Sequence, residues 1–121
     1  MELETAKQLC EQLMQKYNLG KVWKFEWMNS KRRTYGQCDK RKHLIRLSKY
    51  YILVNEEKFV RDTILHEIAH AKCHKMGHNK FWKEWCIKLG AIPKMYNEEK
   101  ISQRNYIFAE VEGKLKAIKK I

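Results

Sequence analysis

The sequence predicts an α+β chain, and three observations carry that prediction. Residues 3–17 repeat apolar side chains at three- and four-residue spacing. Residues 22–48 alternate apolar and polar side chains between polar turns, and residues 56–89 return to helical spacing with an interruption at Gly77. The expected architecture is an N-terminal helix, a three-stranded antiparallel sheet, a long helix and a following helix that buttresses it. A chain of 121 residues is long enough to bury one such core.

The elements follow in order. Leu3, Ala6, Leu9, Cys10, Leu13, Met14 and Tyr17 form the stripe of the first helix, and Gly20 stops it. Trp23, Phe25 and Trp27 alternate with Lys24 and Glu26 in the period of a half-buried strand; Thr34–Asp39 and His43–Ser48 are read as the next two strands, joined by turns. Asn55 is placed as the N-cap of a helix running to Met76, with Glu56 and Glu57 in its first turn and Gly77 as a left-handed cap. Asn79 starts the last helix, Phe81, Trp82, Trp85, Cys86 and Leu89 share one face of it, and Gly90 ends it ahead of Pro93. Tyr106–Val111 alternates weakly, Glu112-Gly113 resembles a turn, and Lys114–Ile121 suits a strand or a short helix. Residues 1–95 are taken as the core and residues 96–121 as a C-terminal extension packed on it.

Composition excludes several classes. Hydrophobic residues make up 44% and aromatics 12%, with one Pro and five Gly, which rules out a disordered, collagenous or linker chain. No apolar run approaches the roughly 18 residues that span a bilayer, and the opening MELETAKQLCEQL carries acids where a secretory leader carries bases. An intracellular protein is expected, cytoplasmic or associated with the nucleoid or nucleus, with no membrane partner and monomeric. Cys10, Cys38, Cys73 and Cys86 form no CxxC pair, so neither a zinc ribbon nor a redox dithiol is expected, and free thiols suit a reducing compartment.

The formal net charge is +12, and +7 of it falls between residues 21 and 56. Two clusters dominate there, Lys31-Arg32-Arg33 and Lys40-Arg41-Lys42, each on an expected turn and close to Trp23, Phe25, Trp27 and Tyr35. Concentrated positive charge of this kind is a footprint for polyanions, so these six residues are candidate nucleic-acid contacts; a solvated, solubilising face is the plainer alternative.

The feature that carries chemistry is His66-Glu67-Ile68-Ala69-His70, an H-E-x-x-H on an expected helix. Residues four apart share a face, so the two imidazoles can converge on one zinc ion. Glu67 projects from the adjacent flank, placed to act as general base toward water activated by the metal. The flanks are strongly helical, and Val60, Ile64, Ile68 and Ala71 form an apolar stripe on the opposite side. A pair of structurally satisfied core histidines is the alternative reading, but three histidines spaced by four would fill a core expensively.

A catalytic zinc needs a third protein ligand. His74 continues the series but stands roughly 12 Å along the axis from His66, too far for one ion. Glu84 falls beside Lys80, Lys83 and Lys88 on the polar side of its helix. His78, just past Gly77, can turn back toward the metal and fits best. His43 reads as a surface residue, Cys73 and Cys86 as small core residues, and Trp82 and Trp85 as anchors under the metal helix.

Taken together, the chain resembles the SprT-like family of zinc metallopeptidases, which includes the bacterial SprT proteins and the Spartan proteases. The resemblance spans residues 3–93. It rests on Val22–Trp27, on Tyr35-Gly36-Gln37-Cys38, on Ile45-Arg46-Leu47-Ser48, on the run from Thr63 to Ala71, on Gly77-His78-Asn79-Lys80-Phe81-Trp82 and on Leu89-Gly90-Ala91-Ile92-Pro93. It implies a minimal zincin with one Zn2+, His66, His70 and His78 as ligands and Glu67 as the catalytic carboxylate. It also implies protein substrates bound or crosslinked to DNA. The paired cysteines of the family's C-terminal zinc ribbon are missing, so any DNA contact would rest on the basic turns.

The expected function is therefore zinc-dependent peptide hydrolysis, with an edge strand of the sheet receiving substrate as an added strand. Tyr96 and Tyr106 are both candidates to stabilise the oxyanion. Two rivals are a basic nucleic-acid-binding module with a structural or vestigial zinc site, and a zinc hydrolase of a non-protein substrate.

Overall fold

The structure, a computed structural model, describes residues 1–28 and 33–121. Helix α1 spans Leu3–Lys16 and buries Ala6, Leu9, Cys10, Leu13 and Met14, the stripe its spacing predicts. Strands β1 (Lys24–Met28), β2 (Gly36–Asp39) and β3 (Leu44–Ser48) form one sheet in the order β1-β3-β2.

The sheet is mixed, which corrects the expectation of three antiparallel strands. β2 and β3 form an antiparallel hairpin, but β1 runs parallel to β3, from Lys24 opposite Leu44 to Met28 opposite Ser48. The reason is burial. β3 contributes Ile45 and Leu47, both fully buried, and so takes the centre. The seven residues between β1 and β2 are ample to step over it, since a strand two places away lies only about 10 Å off.

A helix that the sequence does not announce follows directly. α2 (Lys49–Val54) is capped by Ser48, whose Oγ accepts from the Tyr51 amide. Its run of Tyr50, Tyr51, Ile52 and Val54 favours strand locally, but burial of Tyr51 and Ile52 against the core overrides that preference. Asn55 therefore ends α2 and does not start the next helix. Its side chain donates to the Tyr51 and Ile101 carbonyls and accepts from the Ile101 amide, both Ile101 bonds being 2.8 Å.

Helix α3 (Glu57–Lys72) stops four residues before the expected end. Cys73 turns extended, its carbonyl receives the Lys40 ammonium, and Gly77 takes its left-handed φ of 85° in the link to the next helix. Helix α4 (Lys80–Leu89) has the expected bounds: the Asn79 side chain accepts from the Phe81 and Trp82 amides, and Gly90 caps it at φ 85°.

Beyond α4 the chain returns across the core. Lys100 and Gln103 are buried, and Gln103 Nε2 donates to the Thr34 carbonyl at 3.2 Å. A hairpin of β4 (Tyr106–Val111) and β5 (Lys114–Lys120) follows, turning on Glu112 and Gly113, both at positive φ as a two-residue hairpin turn requires. Phe108 meets Tyr50 edge-on. All four cysteines are unpaired, and no helix among the described residues is long and apolar enough to cross a membrane.

Candidate active site

Helix α3 lines up Asp62, His66 and His70 at i, i+4 and i+8 on one face, while Val60, Ile64 and Ile68 are fully buried behind them. Trp82 of α4 locks this face. Its ring is wholly buried, its Nε1 donates to the His66 carbonyl at 3.1 Å, and it stacks on the His70 ring at 5.3 Å and 23°. The His78 ring meets the same indole edge-on at 4.7 Å. One core side chain thus sets both imidazoles, and their Nε2 atoms lie 3.2 Å apart.

That separation suits a metal. Two nitrogens bound at about 2.0–2.1 Å around a tetrahedral centre stand about 3.3 Å from each other. The protonation state suits it too. Burial pushes the His70 pKa down to about 4, with further lowering from His78, Lys40 and His66, and burial also lowers His78. Both rings are neutral at pH 7, as ligation demands.

His66 stands apart from that pair. Its Nε2 is 2.6 Å from the Ile92 carbonyl and 3.3 Å from Asp62 Oδ2. Burial lowers its pKa, with Asp62 acting in the opposite direction. Among the described residues no three His, Cys, Asp or Glu side chains are gathered as a ready metal cluster. The donor chemistry fits zinc: one imidazole pair is in place, and a third ring lines the same cleft, held to a backbone carbonyl that it must release to join them.

Glu67 is half-buried, and loss of hydration pushes its carboxyl up to about 8 against the opposing influence of Lys100. It lies directly beneath β2. A Cβ at Gly36 would stand 3.2 Å from Glu67 Cγ, Thr63 Cγ2 and the Arg46 carbonyl oxygen, so any side chain there must push a neighbour back by a few tenths of an ångström.

Gly36, Glu67 and His78 also mark the waist of a two-lobed cleft. One lobe, about 580 Å³, is lined by His66, Tyr96, Arg33 and Arg104; the other, about 640 Å³, by His70, Cys38, Lys40 and Arg41. A third hollow of about 630 Å³, between the end of α1 and β1, contains no imidazole and lies away from this chemistry.

The other sequence candidates fall as follows. His74 and Glu84 are exposed and line neither lobe. Tyr96 lines the cleft and Tyr106 does not. Lys31 and Arg32 lie outside the described residues. Arg33 sits in the first lobe and Lys40 and Arg41 in the second, while Lys42 is exposed on its turn with its amide bonded to Asp39.

Sequence reasoning missed a buried polar chain behind the site. Asp62 Oδ2 contacts Lys100 Nζ at 2.8 Å, Lys100 donates to Thr63 Oγ1 at 3.0 Å, and Thr63 meets the Tyr51 hydroxyl at 2.9 Å. Asp62 Oδ1 accepts the Ile92 amide. The signal for Asp62 was available: it extends the histidine line of α3 by one turn. Nothing in the spacing points to Lys100.

Comparison with known proteins agrees with this architecture. The model of the SprT-like family matches residues 6–103. The crystal structure of the metallopeptidase zymogen of Methanocaldococcus jannaschii jannalysin is similar in fold, with a TM-score of 0.59 at 16% identity over 78% of this chain and 85% of that one. No curated protein sequence matches the chain. The α+β arrangement of N-terminal helix, sheet, HExxH helix and buttress is thus the one expected, apart from the direction of β1.

Proposed function

The chain belongs to the SprT-like family, at family level metallopeptidases, and from that premise we propose that it is a zinc-dependent endopeptidase centred on His66, Glu67, His70 and His78. The observation that carries the reading is the neutral His70–His78 pair, 3.2 Å apart, beside a carboxyl whose affinity for a proton is raised.

One zinc ion held by His70, His78 and a released His66 would supply the Lewis acid that polarises a scissile carbonyl and acidifies a water. The residues of the chain do the rest. Glu67, protonated near neutrality by burial alone, would be held as the carboxylate by a neighbouring cation; in that form it takes a proton from water and returns it to the leaving amine. The through-running cleft supports a peptide laid along β2, the edge strand that forms its wall at Gly36, Gln37 and Cys38, as an added strand. Tyr96, which lines the first lobe, is the candidate hydroxyl to stabilise a developing oxyanion.

The narrower reading, that substrates are DNA-associated proteins, rests on the resemblance and on the +7 segment, with Arg41 and Lys42 exposed on the β2–β3 turn. One experiment tests both levels. Wild type and Glu67→Gln are loaded with zinc, and cleavage of a DNA-binding protein is followed with and without DNA at rising salt. The proposal expects one zinc in each protein, cleavage only by wild type, and a DNA stimulation that fades with salt. Equal cleavage by both would remove Glu67 from the chemistry.

A further inference from the structure

The two lobes of the cleft differ in charge. The lobe beside His66 contains Arg33, Arg104 and Lys100, and among the described residues Glu67 is the one carboxylate that lines it. The other lobe has Asp39 beside Lys40 and Arg41, and Lys40 is already engaged by the Cys73 carbonyl.

Arg33 and Arg104 are brought together deliberately by the fold. Gln103 donates to the Thr34 carbonyl at 3.2 Å, and Tyr35 and Ser102 line the same lobe. The immediate neighbours of each arginine are therefore stitched across the lobe, which fixes both backbones while leaving the guanidinium groups exposed. Among the described residues neither arginine pairs with a carboxylate; the ion pairs there involve Arg46, His66 and Lys100. Lys100 is spent on Asp62. Two unpaired guanidinium forks on the wall of a catalytic cleft lack a bidentate anionic partner, which is what such groups bind best.

We propose that the Arg33–Arg104 lobe is a substrate subsite that takes an aspartate or glutamate side chain of the peptide, next to the bond being cut. The inference rests on the peptidase reading above and names its preferred substrate class. A peptide side chain is favoured over nucleic acid because this wall is contiguous with Glu67 and His78, where the hydrolysed chain itself must lie. The charge difference between lobes also gives the peptide a direction.

The test has a cleavage arm and a binding arm. A mixture of defined peptides is digested with the zinc-loaded protein and cut sites are read by mass spectrometry. In parallel, fluorescein-labelled octapeptides carrying Glu, Gln or Lys at central positions are titrated into protein held zinc-free with a chelator. Wild type should favour the acidic peptides by about tenfold, the scale of one charge-assisted pair. Arg33→Ala/Arg104→Ala should bring the ratio near one, and Arg33→Glu/Arg104→Glu should favour Lys. Lys116→Ala/Lys119→Ala, which removes equal charge from the exposed face of β5, should keep the wild-type ratio. Melting temperatures establish that each variant is folded. Cleavage with no acidic bias, or a bias untouched by the arginine variants, overturns the subsite while leaving the peptidase reading intact. Arginine-dependent binding of acidic peptides with no cleavage sinks the peptidase reading and supports the subsite. Loss of single-stranded DNA binding in the arginine variants, with acidic-peptide binding unchanged, overturns the subsite in favour of a nucleic-acid contact.

Discussion

The Nε2 atoms of His70 and His78 lie 3.2 Å apart although the two residues belong to different segments, one on α3 and one on the loop beyond it. Trp82 touches both rings. The pair therefore belongs to the packing of α3 on α4 and needs no ligand to assemble it. His78→Ala should lower zinc affinity by more than the roughly 10–100-fold that removal of an outer-shell partner costs. The fold should survive, because His78 is exposed. Competition against a chromophoric chelator measures the first, and a thermal melt the second. Undiminished affinity would remove His78 from the ligand set.

The Glu67 carboxyl gives a pH signature in zinc-free protein. Its pKa rises from an ordinary 4.5 to about 8 on folding, so between those values the folded state holds a proton that the unfolded chain has released. That contribution to stability is complete below 4.5 and is lost as pH climbs through 8. His70 acts on the other flank: with its pKa down to about 4 from 6.5, it costs stability as pH falls between the two. Glu67→Gln removes the first effect alone. Chelated wild type should lose melting temperature relative to the variant from pH 5 to pH 8; parallel curves would contradict the raised pKa.

The Asp62–Lys100 pair is nearly out of solvent, with side chains 10% and 4% exposed. Removing one partner strands the other, so Lys100→Met should cost about 3–5 kcal/mol. Asp62→Asn combined with Lys100→Met should cost clearly less than the two single changes together, since no bare charge remains. Urea unfolding of the four proteins closes the cycle. Additive losses would mean that the two groups do not sense each other.

Gly36 sets how close β2 comes to α3. Gly36→Ala places a methyl 3.2 Å from Glu67 Cγ and from the Arg46 carbonyl oxygen, and the backbone oxygen has little freedom to yield. Glu67 is the softer neighbour and should move by a few tenths of an ångström. Sub-ångström misplacement of a reacting group is enough to expect a loss of about tenfold in kcat. KM and melting temperature should change little. A loss confined to KM would show that Gly36 serves substrate binding alone.

The site was legible in the sequence where chemistry follows from spacing alone. His66, Glu67 and His70 are fixed relative to one another by α3, and Asn79 and Gly90 announce α4 by caps that act within a few residues. What was illegible depends on contacts distant along the chain. The direction of β1 is decided by which strand buries most. α2 forms because the core buries Tyr51 and Ile52, against the strand preference of its own residues. Asn55 looked like a helix start because its real partner, Ile101, is 46 residues away. Met76 looked helical because no local signal warns that the Cys73 carbonyl is taken by Lys40. Of the six basic residues read as two turn-tip clusters, Arg33 lines one lobe of the cleft, Lys40 and Arg41 line the other, and Lys42 lines neither.

The bonds that Lys100, Ile101 and Gln103 make to Asp62, Asn55 and Thr34 have a thermodynamic consequence. They tie α3, the end of α2 and the approach to β2 into one cooperative opening unit, so the catalytic helix cannot loosen while residues 100–103 stay in place. The amides of Ile92 and Ile101, held by Asp62 and Asn55, should exchange with deuterium at the same free energy as the middle of α3. Zinc should slow the exchange of Ile101, a residue that lines neither lobe, because a ligand for the closed state protects the whole unit.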